Sequence, residues 1–375
     1  MQNIARYYRP ELDVLRLAAF LLVFCNHRND VARVSPDYPV MAALAGIGVF
    51  GVPVFFLLSA FLITELLNRE LESVGTVHVK AFYVRRILRI WPLYYAVFYA
   101  LVLLNHVLRR VGASTAGSIA AFSLFTGNWY VFSHGWLASP VSPLWSVSVE
   151  EQFYVAIPLL TYFFRARGLK IVNITLIGVA YPFVAYYATH KTHGYTQWTN
   201  SFVQFQFFAA GSLLSIYLRG RLPKLHWLLR WLFAAAALGG YYFANHVLGV
   251  DADHPHATLS GALVGWTLVL GCTILLFLSL YGVAAKYMPR VLVYFGRISY
   301  GLYMVHAFFL FCIFRLWRVG LTELSTTLHL ADWKDALGTV LAIVATSLLA
   351  MLSYHLYEKP FLRLKRRFTF VPSRD

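Results

Sequence analysis

His27 and Arg16 are the residues of this sequence best placed to do chemistry. They lie eleven positions apart in the stretch DVLRLAAFLLVFCNH, residues 13–27. At about 3.6 residues per turn and about 1.5 Å rise, that spacing puts both side chains on one helix face, roughly 16 Å apart along the axis. A histidine gains or loses a proton near neutral pH, which suits a general base or an acyl acceptor. Asp13 lies one turn below Arg16, and Asn26 and Arg28 flank His27. Charge inside so apolar a segment is costly and marks a functional site by default.

Other clusters carry similar signals. PLWSVSVEEQFY (143–154) holds Glu150 and Glu151 side by side. Adjacent helical residues point about 100° apart, so the two carboxylates cannot face one partner. Either they bridge neighbouring helices, or one orients or protonates His27. In RRILRIWP (85–92), Arg86 and Arg89 share a face, as do Arg85 and Arg89. Such a face contacts lipid headgroups or clamps phosphates, for which guanidinium geometry is suited. FGRISYGLYMVH (295–306) places Ser299, Tyr303 and His306 on one polar stripe, which either pins helices together or lines a path. Tyr357-Glu358-Lys359-Pro360 reads as structural. Asp251-Ala252-Asp253-His254-Pro255-His256 is not expected to bind a metal, since two histidines around a proline in a short loop are weak evidence for a site. No nucleophile elbow and no phosphate-cradling glycine loop is present.

The elements that position these groups are membrane helices. Of 375 residues, 59% are hydrophobic and only 13% charged, and mean hydropathy is +0.61; a soluble domain carries about 25% charged residues. Ten apolar stretches approach the ~18 residues that cross a bilayer: 12–28, 46–67, 92–108, 142–164, 170–188, 201–218, 226–248, 259–281, 295–317 and 336–357. With both termini cytoplasmic, 24 of the 32 Lys and Arg fall on the inner side and 8 on the outer. This bias accounts for the net charge of +16 without nucleic acid, which is not expected as a partner. Residues 76–91 mix apolar and basic positions and predict an amphipathic helix in the cytoplasmic interface. Residues 117–134 are apolar but rich in Gly, Ser, Thr and Asn, and predict an outer re-entrant segment. The fold expected is all-α: a polytopic bundle of about ten spans with those two additions, one domain with a core over 10–365 and a cytoplasmic tail from 366. The three cysteines imply no disulfide framework. The first helix is expected to be retained, because Arg16 interrupts the apolar run and no small-residue cleavage site follows.

Taken in order, these motifs resemble the acyltransferase-3 family of bacterial membrane acyltransferases. The resemblance spans about residues 10–365. It rests on Arg16 and His27 with ten residues between, GVPVFFLLSAFLI (51–63), RRILRIWP (85–92), Asn128-Trp129, WSVSVEEQFY (145–154) and SYGLYMVH (299–306). Ala60 departs from the glycine the family often carries, and the form expected is the one without a C-terminal esterase-like domain. The resemblance implies O-acyl transfer, commonly of acetyl, from cytoplasmic acyl-coenzyme A to a hydroxyl of an extracytoplasmic or lipid-linked saccharide, in the bacterial inner membrane. No permanently bound cofactor is implied; acyl-coenzyme A is the donor substrate. His27 would be catalytic with Arg16, Glu150 and Glu151. Arg85, Arg86 and Arg89 would hold the donor phosphates. Tyr154, Asn128, Trp129, Tyr303 and His306 would contact substrate. The competing readings are a transporter or flippase that uses the intramembrane Arg, Glu and His residues, and a non-catalytic lipid-binding scaffold.

Overall fold

A computed structural model describes residues 7–32, 39–108, 115–255 and 258–371. Arg6, Arg33, Arg109, Arg110, His256 and residues 372–375 lie outside them. The described chain is helical, with no strand. Seven helical runs are long and apolar enough to cross a membrane, and the protein is a multi-pass membrane protein. Large apolar side chains such as Val155, Phe163, Ile171, Leu348 and Leu356 face outward, as suits a lipid-facing surface.

Six helices build the site: α1 (Pro10–Ala32), α2 (Gly51–Val74), α3 (Val79–Leu108), α4 (Trp145–Thr189), α5 (Ser201–Leu218) and α6 (Ser299–Phe311). Helix α1 is not among the seven apolar runs, because Glu11, Asp13, Arg16, Arg28 and Asp30 interrupt it. It is instead wrapped in protein: Leu12, Leu15, Ala19, Phe20, Val23 and Phe24 are all buried. It packs against α2, α6 and the helices Pro39–Gly48 and Arg290–Arg297. Glycine makes two of these contacts possible. A Cβ on Gly51 would lie 2.4 Å from the Ala19 carbonyl oxygen, and one on Gly296 would lie 1.8 Å from that of Asp13. Small residues let backbones approach this closely, and Gly296 thereby seats a neighbour directly behind Asp13.

Helix α4 spans 45 residues, about 68 Å at 1.5 Å per residue, more than twice the ~30 Å hydrocarbon core. Its break is Arg165, where φ is 48° and ψ is −164°. The chain doubles back there. The Gln152 side-chain carbonyl accepts from Ser201 Oγ at 2.6 Å, and the Tyr187 hydroxyl accepts from Asn200 Nδ2 at 2.7 Å. Two residues 35 apart on α4 thus meet the same end of α5, while Asn173 meets Ser212 eleven residues along it, at 2.9 Å. The loop expected between 164 and 170 is a single-residue hinge.

Two expectations change in detail. The amphipathic stretch 76–91 is not a separate helix: α3 runs unbroken from Val79 through Pro92 to Leu108. Proline removes one helical donor, and side chains from elsewhere bind the backbone nearby, with Tyr300 Oη donating to the Ile90 carbonyl (2.9 Å) and Tyr357 Oη to that of Pro92 (3.2 Å). Residues 117–134 form two eight-residue helices, Ala116–Ser123 and Gly127–His134.

Candidate active site

Helices α1, α2, α3, α4 and α6 and the helix Lys359–Lys365 line a cavity whose empty space, with the open solvent at its mouth, is about 1280 Å³. Along α2 its lining runs from Leu66 to Val52, fourteen residues or roughly 21 Å. One end is basic. Arg9, Arg16, Arg86, Arg89 and Lys365 line the cavity against only two carboxylates, Asp13 and Glu150. The walls above are largely aromatic, from Phe55, Phe56, Tyr154, Tyr300 and Tyr303. A long ligand, anionic at one end and neutral at the other, matches this profile.

Arg16 stands in the cavity wall, and its Nη1 donates to Asp13 Oδ1 at 2.6 Å. The Tyr8 hydroxyl reaches the other oxygen of Asp13 at 3.0 Å. Asp13 is 1% exposed, and a carboxylate so buried demands partners of this kind. Arg86 is packed over the Tyr154 ring (5.6 Å), and its buried Nε has no hydrogen-bond partner among the described residues. Arg85, expected beside it as a phosphate ligand, points elsewhere. Its guanidinium binds Glu70 Oε2 (2.9 Å) and the Phe368 carbonyl (2.7 Å), and it lines a small side cavity instead. Consecutive helical positions diverge by about 100°, so Arg85 and Arg86 cannot share a ligand easily.

The same rotation separates the glutamates. Glu150 lines the cavity and accepts the Tyr154 hydroxyl, which also meets Ser59 Oγ at 2.5 Å. Glu151 turns to α3 and accepts from Trp91 Nε1 at 3.0 Å. Neither carboxylate orients His27, and that expectation is corrected by a histidine.

His27 Nδ1 lies 2.9 Å from His306 Nε2, and His306 Nδ1 lies 2.6 Å from the Tyr303 carbonyl oxygen. The carbonyl can only accept, so His306 Nδ1 carries the proton and its Nε2 is bare. That bare nitrogen accepts from His27 Nδ1–H, which leaves His27 Nε2 with a free lone pair. His306 is fully buried among Phe20, Phe24, Tyr303 and His27, with ring centroids 5.9, 6.5, 5.4 and 5.0 Å away. The histidine pair does not line the cavity. Tyr303 does, and it stands between the cavity and the pair. Its hydroxyl clusters with Ser146 Oγ (2.6 Å) and the Pro143 carbonyl (2.9 Å), and Phe55 packs edge-on to its ring (5.8 Å).

Asn128 and Trp129, expected to touch substrate, are away from the cavity. Asn128 is fully buried in a network with Thr199 O, Ser201 Oγ and Gln152 Nε2 at 2.8–3.0 Å. Trp129 packs on Phe132 and Phe202. Asp251 accepts the His254 ring (3.0 Å) and the backbone N–H groups of Asp253 and His254, so its carboxylate closes a turn. Sequence reasoning gave no role to Arg9, Lys365, Ser59 or Ser146. Ser59, a hydroxyl inside a strongly apolar run, was the most visible of these signals.

A model of the family described as an acyltransferase domain, Acyl_transf_3, matches residues 9–355. The chain is 29% identical over 192 residues to peptidoglycan O-acetyltransferase OatA of Listeria monocytogenes, covering 48% of this chain and 29% of that protein. It is 27% identical over 375 residues to YrhL of Bacillus subtilis, provisionally named a peptidoglycan O-acetyltransferase, covering 94% of this chain and 55% of that one. The matched regions therefore span about half or less of these relatives. No solved structure matches.

Proposed function

The chain belongs to the acyltransferase-3 family, and from that premise we propose that it moves an acyl group, acetyl by the names of its relatives, from cytoplasmic acyl-coenzyme A to a saccharide hydroxyl outside the membrane. The observation that carries this reading is the polarity of the cavity. Its basic end suits a phosphorylated donor, and its neutral aromatic end points, past Tyr303, at His27. Arg86 and Arg89 bind the donor phosphates. The uncharged arm lies along α2 and carries the thioester toward Tyr303.

His27 Nε2 removes the proton of the acceptor hydroxyl as that oxygen attacks the thioester carbonyl. The C–O bond forms, the C–S bond breaks, and the proton passes to the departing thiolate. His306 holds His27 in the tautomer whose Nε2 is bare when the step begins and again once the proton has passed to the thiolate. A peptidoglycan sugar fits the relatives' names as acceptor. The proposal includes ten spans in one domain, with both termini cytoplasmic in a bacterial inner membrane. The basic end of the cavity is then on the side where the donor is made.

Purified protein in nanodiscs, incubated with radiolabelled acetyl-coenzyme A and a saccharide acceptor, tests the reading. Label transfer by wild type and none by folded His27→Ala supports it. Transfer that survives His27→Ala places the chemistry elsewhere, and a wild type that neither binds nor turns over coenzyme A removes the donor.

A further inference from the structure

We propose that Arg9 and Lys365, from opposite ends of the described chain, bind the ribose 3′-phosphate of the donor at the mouth of the cavity. The inference rests on the donor reading above and deepens it. Arg86 and Arg89 lie three residues apart on α3 and form one anion-binding face. Arg9 lies just ahead of α1, and Lys365 ends the helix Lys359–Lys365; both line the same cavity from other walls. Arg9 Nε is buried without a hydrogen-bond partner, as is Arg86 Nε. Among the described residues, Arg9, Arg86 and Arg89 have no carboxylate within ion-pair reach. Five basic side chains lining one cavity against two carboxylates repel one another, and an anion that enters relieves the repulsion. Basic side chains presented from several walls of one cavity suit a ligand with more than one phosphate group. Coenzyme A has that pattern, a diphosphate bridge and a ribose 3′-phosphate. The 3′-phosphate belongs to the end remote from the thioester, so it lies at the mouth when the thioester points toward Tyr303.

The chain after Lys365 fixes that residue's place. The Phe368 carbonyl accepts from Arg85 at 2.7 Å, the Phe370 ring stacks on His78 with centroids 3.9 Å apart, and Val371 is 5% exposed. Lys365, Thr369 and Val371 also line the side cavity that adjoins the mouth. The pairing of Arg85 with Glu70 and Phe368 thus anchors this strap and leaves phosphate contact to its neighbours.

The test compares coenzyme A with dephospho-coenzyme A, which lacks only the 3′-phosphate, on full-length protein in nanodiscs. Wild type is expected to prefer coenzyme A by roughly tenfold to a hundredfold, the range of a charge-assisted contact. Arg9→Ala and Lys365→Ala should each bring that ratio toward one, with little effect on dephospho-coenzyme A. Arg89→Ala should weaken both ligands and keep the ratio. Arg9→Lys should restore part of the preference, which a folding defect would not allow. A wild type that binds both ligands equally, or alanine variants that keep the wild-type ratio, overturns the inference and leaves the donor reading standing. A wild type that binds neither ligand overturns the donor reading itself.

Discussion

His27 and His306 are joined nitrogen to nitrogen, Nδ1 to Nε2 at 2.9 Å, although 279 residues separate them. The bond has a direction set from its far end, because the Tyr303 carbonyl forces His306 Nδ1 to be the donor. A base needs an orienter, and here a second imidazole fills the role often given to a carboxylate. The consequence is chemical: with Nδ1 donating, the lone pair of His27 sits on Nε2.

On the proposed mechanism His306 is a positioning residue. His306→Ala should lower acyl transfer by about two orders of magnitude, the scale of a general-base contribution, while coenzyme A affinity stays near wild type. His306→Gln keeps an acceptor facing His27 and should recover part of the rate. Steady-state kcat and KM for both variants check this. Equal loss in both, with raised KM, would mean that His306 only packs the core.

The two neighbouring arginines on α3 should part company. Arg89→Ala should raise the dissociation constant for coenzyme A about tenfold or more, since it removes a charge-assisted contact. Arg85→Ala should leave that constant within about threefold and instead lower the unfolding temperature, because it takes the arginine from Glu70, 2% exposed, and leaves the backbone N–H and ring of His78 as its partners among the described residues. Calorimetric titration and thermal unfolding separate the two effects. Matching losses of affinity would mean that Arg85 reaches the donor after all.

Much of this architecture was legible in the sequence, because a helix facing lipid must be apolar throughout. The site was legible in part. Glu150 and Glu151 diverge as helical rotation demands, one to the cavity and one to Trp91. Asn128 shows where such reasoning ends. A polar side chain in an apolar stretch looks the same whether it faces a ligand or a neighbouring helix, and Asn128 faces Gln152 and Ser201. Arg9 and Lys365 were hidden for another reason. Near the ends of spans, basic residues have a sufficient explanation in topology, and only the closure of the bundle brings these two onto one cavity.

Asn128→Ala should consequently be a stability variant. It removes the Asn128 side chain from the Thr199 carbonyl, from Ser201 Oγ, which keeps Gln152 Oε1, and from Gln152 Nε2, which keeps the Phe125 carbonyl, at a total cost of about 1–3 kcal/mol. The folded fraction should keep its wild-type kcat. A kcat that falls while the unfolding temperature holds would return Asn128 to the substrate.

Arg16 both pairs with Asp13 and lines the cavity, and a double substitution separates a structural from a donor-binding role. Arg16→Ala takes its 2.6 Å ion-pair partner from a buried carboxylate that keeps the Tyr8 hydroxyl, a change worth up to about 3–5 kcal/mol when a buried pair is broken. Adding Asp13→Asn removes the stranded charge and should restore much of the lost stability. If Arg16 also contacts the donor, the double variant refolds but remains inactive. Thermal unfolding and acetyl transfer, measured on the same preparations, decide it. Activity that returns with stability would reduce Arg16 to the counter-ion of Asp13.

Tyr303 closes the cavity on the side of the histidines, so its ring sets how far a donor can reach. Tyr303→Phe keeps the ring, loses the contacts to Ser146 and Pro143, and should lower the rate only a few-fold. Tyr303→Ala removes the ring that lies between the lining and His306. Burial of a ring of this size is worth about 3–5 kcal/mol, so some stability goes with it. The vacated space continues the cavity toward His27. Tyr303→Ala should then gain relative activity with longer acyl-coenzyme A donors and release free coenzyme A without an acceptor, as water gains access to the thioester. Relative transfer rates for acetyl and hexanoyl donors, with thiol release followed in parallel, provide the check. An unchanged preference for acetyl, with no uncoupled hydrolysis, would show that the acyl group reaches His27 by a path that does not pass Tyr303.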